Sequence, residues 1–504
     1  MDNGVQKQNN SYLRTHQGYK MNESYIAIDI GASSGRAIAG YIENNQLKLK
    51  ELNRFWNGPI DIRGQLHWDF LHLYKQIQDG LRTAKDQYIT RSLAIDTWGV
   101  DFGLIDSSGN LIENPIHYRD SRTSGIIEKL SEKITKKEIF DQTGIQFMEL
   151  NTLNQIYALY LQSSHAYSSA SNLLFSPDLL NYWLTGQKFS ERTISSTSQI
   201  YNPKTKDWAY ELLETIGLRT DLFAQLIDPG TKIGEINNVS VVACGGHDTA
   251  CAFAATPLKP YETSAILSSG TWSLLGCELT KPIINTNVLE KNFTNEVGVN
   301  SSIRFLKNLN GLWIVQELQR IWKEEGYNYT FSQMVQMAES ADPFQTYINP
   351  ADERFFAPGN MEKRIYDYCN ETDQYKPKNH AEIIRTAYEG LALLYAETLN
   401  DLEELTDKSF STIRIVGGGA KNHLLNQMTA NATAKEIHSG PSEATAVGNC
   451  IMQMIALGDL QDLSEGRDLI RHSFQDEMNI YVPSDISIWE NAKKMWVQLV
   501  SQKK

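Results

Sequence analysis

Two short polar turns, each set between apolar runs, carry the residues best suited to hold a phosphate. In the first, Tyr25 to Ile30 reads as a buried strand with one carboxylate, Asp29. Gly31 to Gly35 is small and polar, and Arg36 to Tyr41 resumes the apolar pattern, which is the signature of a hairpin. A carboxylate at the end of a buried strand needs a partner, because an unpaired buried charge is costly. Small residues let backbone N–H groups approach an anion, and the hydroxyls of Ser33 and Ser34 add donors. An acid beside such a turn suits a nucleotide carrying Mg²⁺, which keeps several waters and needs few carboxylates. An ordinary hairpin with a polar turn reads the same on this stretch alone. The second turn, Ser268-Ser-Gly-Thr-Trp-Ser273, lies between Thr263–Leu267 and Leu274–Cys277 and mirrors the first. Two such hairpins, each opening a half of the chain, point to phosphate far more strongly than either does by itself.

Three further stretches could do chemistry on a hydroxyl or hold a base. Val241 to Ala243 is a strand that runs into Cys244-Gly-Gly-His-Asp-Thr-Ala250. Asp248 at its end is a candidate general base for a hydroxyl, or the head of a structural Asx turn. Asp96 and Asp101 bracket Thr97-Trp98-Gly99. This is either a polyol pocket, with carboxylates, an aromatic face and a close backbone approach at Gly99, or a strand end with a bulge. Tyr118-Arg-Asp-Ser-Arg122 reads as a salt-bridged loop or as the wall of a polar site. Gly417-Gly-Gly419 joins strand 410–416 to helix 423–433, leaving free N–H groups at the positive end of a helix and a flat slot for a base or ribose. It matches neither the dinucleotide fingerprint nor the Walker loop.

The elements that must position these residues repeat. Strands over 25–30, 36–41 and 47–56 precede a helix capped by Asp69, with Phe70, Leu73, Ile77, Leu81 and Ala84 on one face. A strand over 92–97 follows. Ser176 to Gly186 is a short helix with Pro177 near its start. Glu382 to Leu405 is the longest amphipathic helix, and Ser442 is expected to cap a helix carrying Val447, Ile451, Met454 and Ile455. One more short helix follows residue 480.

The 504 residues favour two or more domains, and the 41% apolar and 21% charged content is that of a globular protein. A net charge of −13 argues against a sequence-independent nucleic-acid binder. No apolar run reaches the roughly 18 residues of a membrane helix. Residues 1–22 are polar, without a signal-peptide core, and are expected to form a disordered tail. The five cysteines are scattered, with no Cys-x-x-Cys pair and no zinc signature, which fits inert thiols in the reducing cytoplasm.

Taken together, Asp29-Ile-Gly-Ala-Ser-Ser-Gly-Arg36, Ile95-Asp-Thr-Trp-Gly-Val-Asp-Phe102, Tyr118-Arg-Asp-Ser-Arg122, Ser268-Ser-Gly-Thr-Trp-Ser-Leu-Leu275 and Val416-Gly-Gly-Gly419 resemble the FGGY family of carbohydrate kinases, from about residue 24 to about 480. The resemblance implies an α/β fold of two ribonuclease H-like domains, of the actin and hexokinase type, around a central catalytic cleft. It implies an N-terminal domain over 23–255, a C-terminal ATP-binding domain over 256–485, and a terminal helix or tail over 486–504. Two hairpins that grip phosphates from separate domains can act together only when the domains close, so hinge closure on ligand binding is expected around a junction near 250–262. The wording of the motifs is that of the branch acting on L-rhamnulose, so the implied reaction is ATP- and Mg²⁺-dependent phosphorylation of that ketose at O1. Carried over by motif, Asp248 would be the base, and Gly99, His247, Thr249 and Asn308 would contact the sugar. Ala32, Ser33, Ser34, Gly35, Arg36, Thr271, Gln316 and Gly418 would hold ATP, and Asp29 would hold hydrated Mg²⁺. No nucleic-acid or membrane partner is implied. The rivals are a kinase for fuculose, ribulose, xylulose or an autoinducer-type polyol, and an actin-like sugar-responsive regulator without catalysis.

Overall fold

A computed structural model of the chain describes residues 15–16, 19–259 and 262–501. The tail expected over 1–22 falls largely outside these residues, as do two positions of the junction near 250–262; within the tail, Thr15–His16 pairs antiparallel with Tyr19–Lys20.

The first sheet is built on Glu23–Ile30. This strand pairs antiparallel with Ser34–Glu43, which pairs antiparallel with Gln46–Trp56. On its other side it runs parallel to Ile89–Thr97, and that strand runs parallel to Val239–Ala243. Thr231–Ile236 completes the six strands. Ile26, Ala27, Ile28 and Ile30 are all fully buried, as expected of a strand covered on both faces.

The second sheet repeats the plan. Ser264–Ser269 pairs antiparallel with Trp272–Leu279, which pairs with Ile303–Asn310, which pairs with Thr294–Val297. On its other side Ser264–Ser269 runs parallel to Thr412–Val416, and that strand parallel to Glu436–Ser439. Asn479–Tyr481 makes the seventh strand. Each half therefore opens with a hairpin whose tight turn lies at the carboxyl end of its first strand, where ligands of open α/β sheets bind.

Helix formation follows the local signals with one exception. Phe70–Gln87 begins at Asp69, whose carboxylate accepts from the His72 N–H at 3.0 Å, and it buries the predicted stripe. His380–Thr406 is capped by Asn379 and packs the second core through Ile384, Tyr388, Leu391, Tyr395 and Leu399. Ser442 does not cap the helix that follows it. That helix spans Ala444–Ala456, and the Ser442 hydroxyl donates instead to Glu477 at 3.2 Å. Ile486–Ser501 is anchored by Trp496, fully buried, whose indole N–H donates to the Ile348 carbonyl at 2.9 Å.

Two helices lock the halves together. Ala444–Ala456 belongs to the second half of the chain but lies on the first sheet. Asn449 Nδ2 donates to Asp96 at 2.6 Å, and Gln453 Nε2 donates to the Ile26 carbonyl at 3.1 Å. The Ser92 hydroxyl donates to Gln453 Oε1 at 2.6 Å, so this buried polar ladder is paired from strand to helix. The same helix crosses Asp248–Ala254 at Gly448, where a Cβ would stand 1.9 Å from the Cys251 carbonyl oxygen. Among the described residues no helix is long and apolar enough to cross a membrane.

Candidate active site

A cleft of about 490 Å³ opens between the two sheets, floored by both hairpin turns. Ala32, Ser33, Ser34 and Arg36 line it from the first half, and Thr271, Gln316 and Gly418 from the second. Gly99, His247, Asp248, Thr249 and Asn308 line it between them, together with Asp29. Gly35 is the one member of the predicted set that does not line the cleft. It faces the interior, where a Cβ would stand 2.2 Å from the Phe55 ring.

The first turn is held by backbone and side chain together. The Gly31 N–H donates to the Ser34 carbonyl at 2.9 Å, and Asn57 Nδ2 donates to the Gly31 carbonyl at 2.7 Å. At the strand end, burial raises the Asp29 carboxyl above its usual range, and the Arg36 guanidinium at 2.5 Å pulls it back. Arg36 also pairs with Glu443, at the start of the Ala444–Ala456 helix, so it ties the two halves across the cleft. In the second turn the Thr271 hydroxyl donates to Gln316 Oε1 at 3.0 Å. At the triple glycine, a Cβ on Gly418 would meet nothing within 4 Å, whereas one on Gly419 would stand 2.0 Å from Ser269 Oγ. The side-chain-free face of Gly418 is therefore open to a flat ligand, and Gly419 is required by the packing beneath it.

Asp248 begins the Asp248–Ala254 helix at the end of the Val239–Ala243 strand, with a side chain 28% exposed to the cleft. The Thr249 hydroxyl donates to Asp248 Oδ1 at 3.0 Å, and His247 Nε2 stands 3.4 Å from the same oxygen. Gly246 before it is set by Glu191, which is buried, accepts from the Gly246 N–H at 3.0 Å, and is raised by its burial. On the far wall, Asn308 is gripped from the first half: its N–H and Nδ2 donate to Gln146 Oε1 at 2.8 and 3.1 Å.

The Asp96 to Asp101 turn is not a pair of carboxylates facing a polyol. Asp101 is fully buried and accepts from the indoles of Trp68 at 2.6 Å and Trp98 at 2.9 Å, from Gln155 at 3.0 Å and from the Tyr118 N–H at 3.2 Å. Burial nevertheless raises its carboxyl to about 6. Asp96 is fully buried too, raised well above its usual range by burial and then by the Asp29 charge. Trp98, Gly99 and Val100 between them line the cleft. Val100 has φ of +69°, a conformation that costs a β-branched residue about 1–3 kcal/mol and that clusters at functional sites. The Thr197 hydroxyl holds it by accepting from its N–H at 3.1 Å, and the Thr152 hydroxyl donates to its carbonyl at 2.6 Å.

Tyr118 lines the cleft, but none of the charged residues of the Tyr118 to Arg122 loop does. The Arg119 guanidinium reaches across to the second half and stacks 4.7 Å from the Trp313 ring centre and 5.7 Å from that of Trp272. Arg122 is held inside, donating to Gln155 at 2.6 Å. Asp96, Cys244 and Cys251 bring ligand atoms within 4.8 Å of one another. Both thiols donate to backbone carbonyls, of Ile95 and Gly245, and burial raises both, so their protons are engaged within the protein.

Gln146, Glu191 and Thr197 were not read from the sequence as parts of the site, and neither were Glu296 and Arg304. The last two face each other in register on neighbouring strands, 3.1 Å apart and buried. Burial raises the Glu296 carboxyl, but the Arg304 guanidinium outweighs it and holds the group down at about 2. The available signal was a pair of opposite charges, Glu296 and Arg304, on consecutive strands, with Lys307 a second charge on the latter.

Comparison with known proteins assigns most of the chain to one family. Models for the N-terminal and C-terminal domains of the FGGY family of carbohydrate kinases match residues 24–253 and 265–457. The chain belongs to the FGGY family of carbohydrate kinases. It is 39% identical over 483 residues to a rhamnulokinase of Bacteroides thetaiotaomicron, covering 94% of this chain and 98% of that one. It is 40% identical over 473 residues to a rhamnulokinase of Bacillus subtilis, covering 92% and 96%. Among solved structures, a ligand-bound xylulose kinase from Lactobacillus acidophilus superposes with a TM-score of 0.76 at 14% identity, over 95% of this chain and 98% of that one. A Plasmodium falciparum glycerol kinase with ADP gives 0.75 at 16%, over the same shares. At such identities these likenesses bear on the fold, which is the two-domain sugar-kinase architecture built here from two repeated sheets.

Proposed function

We propose that this protein transfers the terminal phosphoryl group of ATP to O1 of L-rhamnulose. The reading is carried by the convergence in one cleft of Asp248, two hydroxyl-bearing turns and the bare face of Gly418, in a chain similar over nine-tenths of its length to rhamnulokinases. Asp248 takes the proton from the sugar O1. Its carboxylate is open to the cleft, and its helix N-terminus is fixed by Glu191 through Gly246. His247, Thr249, Asn308 and the Gly99 backbone bind the ketose. The turn from Ala32 to Arg36, with Thr271 and Gln316, holds the phosphates, and Gly418 lies against the base or ribose.

The donor set suits a nucleotide carrying a hydrated cation, since hydroxyls and amides of both turns face the cleft beside the Asp29 carboxylate. Mg²⁺, when bound, neutralises charge that builds on the phosphate oxygens. Asp29 would hold it through water, with Arg36 keeping that carboxylate in place. Arg119 and the Arg36–Glu443 pair span the cleft and favour a closed arrangement that keeps water from competing with the sugar hydroxyl. The five free, buried thiols suit the cytoplasm as the place of action.

ADP release with Mg-ATP is expected to rise with L-rhamnulose and to stay near background with fuculose, ribulose and xylulose. A stronger response to another ketose would replace the sugar and keep the chemistry. No response to any ketose would remove the kinase reading.

A further inference from the structure

We infer that Arg304 and Glu296 are positioning residues that fix the tautomer of His247 and aim its Nε2–H at the sugar. Arg304 is fully buried. Its Nε and Nη2 donate to the Val297 carbonyl at 3.2 and 3.1 Å, which fixes the plane of the guanidinium. Nη2 also stands 3.1 Å from His247 Nδ1 in hydrogen-bonding geometry. A guanidinium has only donors, so this contact requires Nδ1 to be the acceptor and leaves the ring proton on Nε2. Glu296 Oε2 lies 3.3 Å from the same Nδ1 and would accept from the opposite tautomer, but it has no partner in hydrogen-bond geometry. The Arg304 N–H occupies the position that a proton on Nδ1 would need.

The pair serves a second sugar contact as well. Glu296 Oε1 accepts from Asn308 Nδ2 at 3.3 Å, on the other wall of the cleft. One buried cross-strand pair thus stands behind both His247 and Asn308. A buried ion pair is weak evidence for stability, since its desolvation cost can exceed its attraction. Its value here is orientation: the donor goes to the Nδ1 side and the N–H of Nε2 to the cleft side, 3.4 Å from Asp248. The inference rests on the proposed sugar site for what the Nε2–H meets, whereas the tautomer belongs to the free protein.

The test is a long-range ¹H–¹⁵N correlation spectrum of the full chain labelled at histidine, with His247 assigned by the signal lost in His247→Gln. The expected result is an unprotonated-type Nδ1 and a protonated-type Nε2 before any ligand is added. A proton on Nδ1 overturns the inference. The double variant Glu296→Gln, Arg304→Met removes both buried charges and leaves neither unpaired. It is expected to give mixed tautomers and to raise KM for the ketose roughly tenfold, the worth of one hydrogen bond, with KM for ATP unchanged. An unchanged tautomer and ketose KM in that variant overturn the inference too. Turnover that survives Asp248→Asn would instead sink the base reading and leave the tautomer result standing.

Discussion

Asp248→Asn is expected to lower kcat for ketose-dependent ADP release by about 10²–10⁴-fold, the usual contribution of a positioned general base. The amide is nearly the same size, so the change removes the proton acceptor and little else. The interactions that fix this position are made by its neighbours: Glu191 on the Gly246 N–H, and Thr193 Oγ1 on the His247 N–H at 3.2 Å. Folding stability and KM for ATP should therefore stay close to wild type. The Thr249 hydroxyl can still donate to the remaining side-chain oxygen. Steady-state kinetics beside a thermal melt check this. A variant with full turnover would mean that the sugar hydroxyl loses its proton elsewhere. A variant that loses turnover only by unfolding would make Asp248 a structural cap.

Gly448→Val is expected to cost both fold and activity, although Gly448 lies outside the cleft. A Cβ there would stand 1.9 Å from the Cys251 carbonyl oxygen, 2.6 Å from its carbon and 3.0 Å from its Cα. These are backbone atoms of the Asp248–Ala254 helix, and they cannot swing away as a side-chain tip can. The two helices must separate, and the core they share, including Phe253, Val447, Cys450 and Ile451, must open. Overpacking of this kind typically costs about 1–3 kcal/mol, and a valine brings two methyl groups beyond the first clash. Asp248 starts the displaced helix, so the base moves with it, and a shift of about 1 Å can cost roughly 10² in rate. Ketose-dependent turnover should fall together with the melting temperature. Gly418→Ala supplies the contrast: its Cβ meets no protein atom within 4 Å, so stability should hold. Wild-type stability and turnover in Gly448→Val would contradict the close helix crossing.

The hairpins were legible because their signals are local. A run such as Tyr25–Ile30 followed by Gly-Ala-Ser-Ser-Gly carries its own turn chemistry, and the same holds for Ser268–Ser273. Asp248 and the triple glycine were legible for the same reason, as polar or side-chain-free ends of apolar strands. What was not legible depended on distant partners. Nothing near Asp101 says whether it faces a sugar or the protein; its partners Trp68 and Gln155 are 33 and 54 residues away. Gln146 reaches Asn308 from 162 residues away, and nothing beside it in the chain marks that partner. The Glu296–Arg304 pair depends on the register of two strands, which alternation alone does not set. Ser442 was a reasonable cap by type, but Glu477 takes its hydroxyl, and Glu443 behind it is drawn to Arg36.

The most direct measurement is the position of the phosphate in the product. A ³¹P–¹H correlation spectrum of the mixture after incubation with L-rhamnulose and Mg-ATP should show a phosphoester coupled to the C1 methylene protons, together with ADP. Coupling to any other sugar proton, or inorganic phosphate and ADP with no sugar phosphate, would contradict the account.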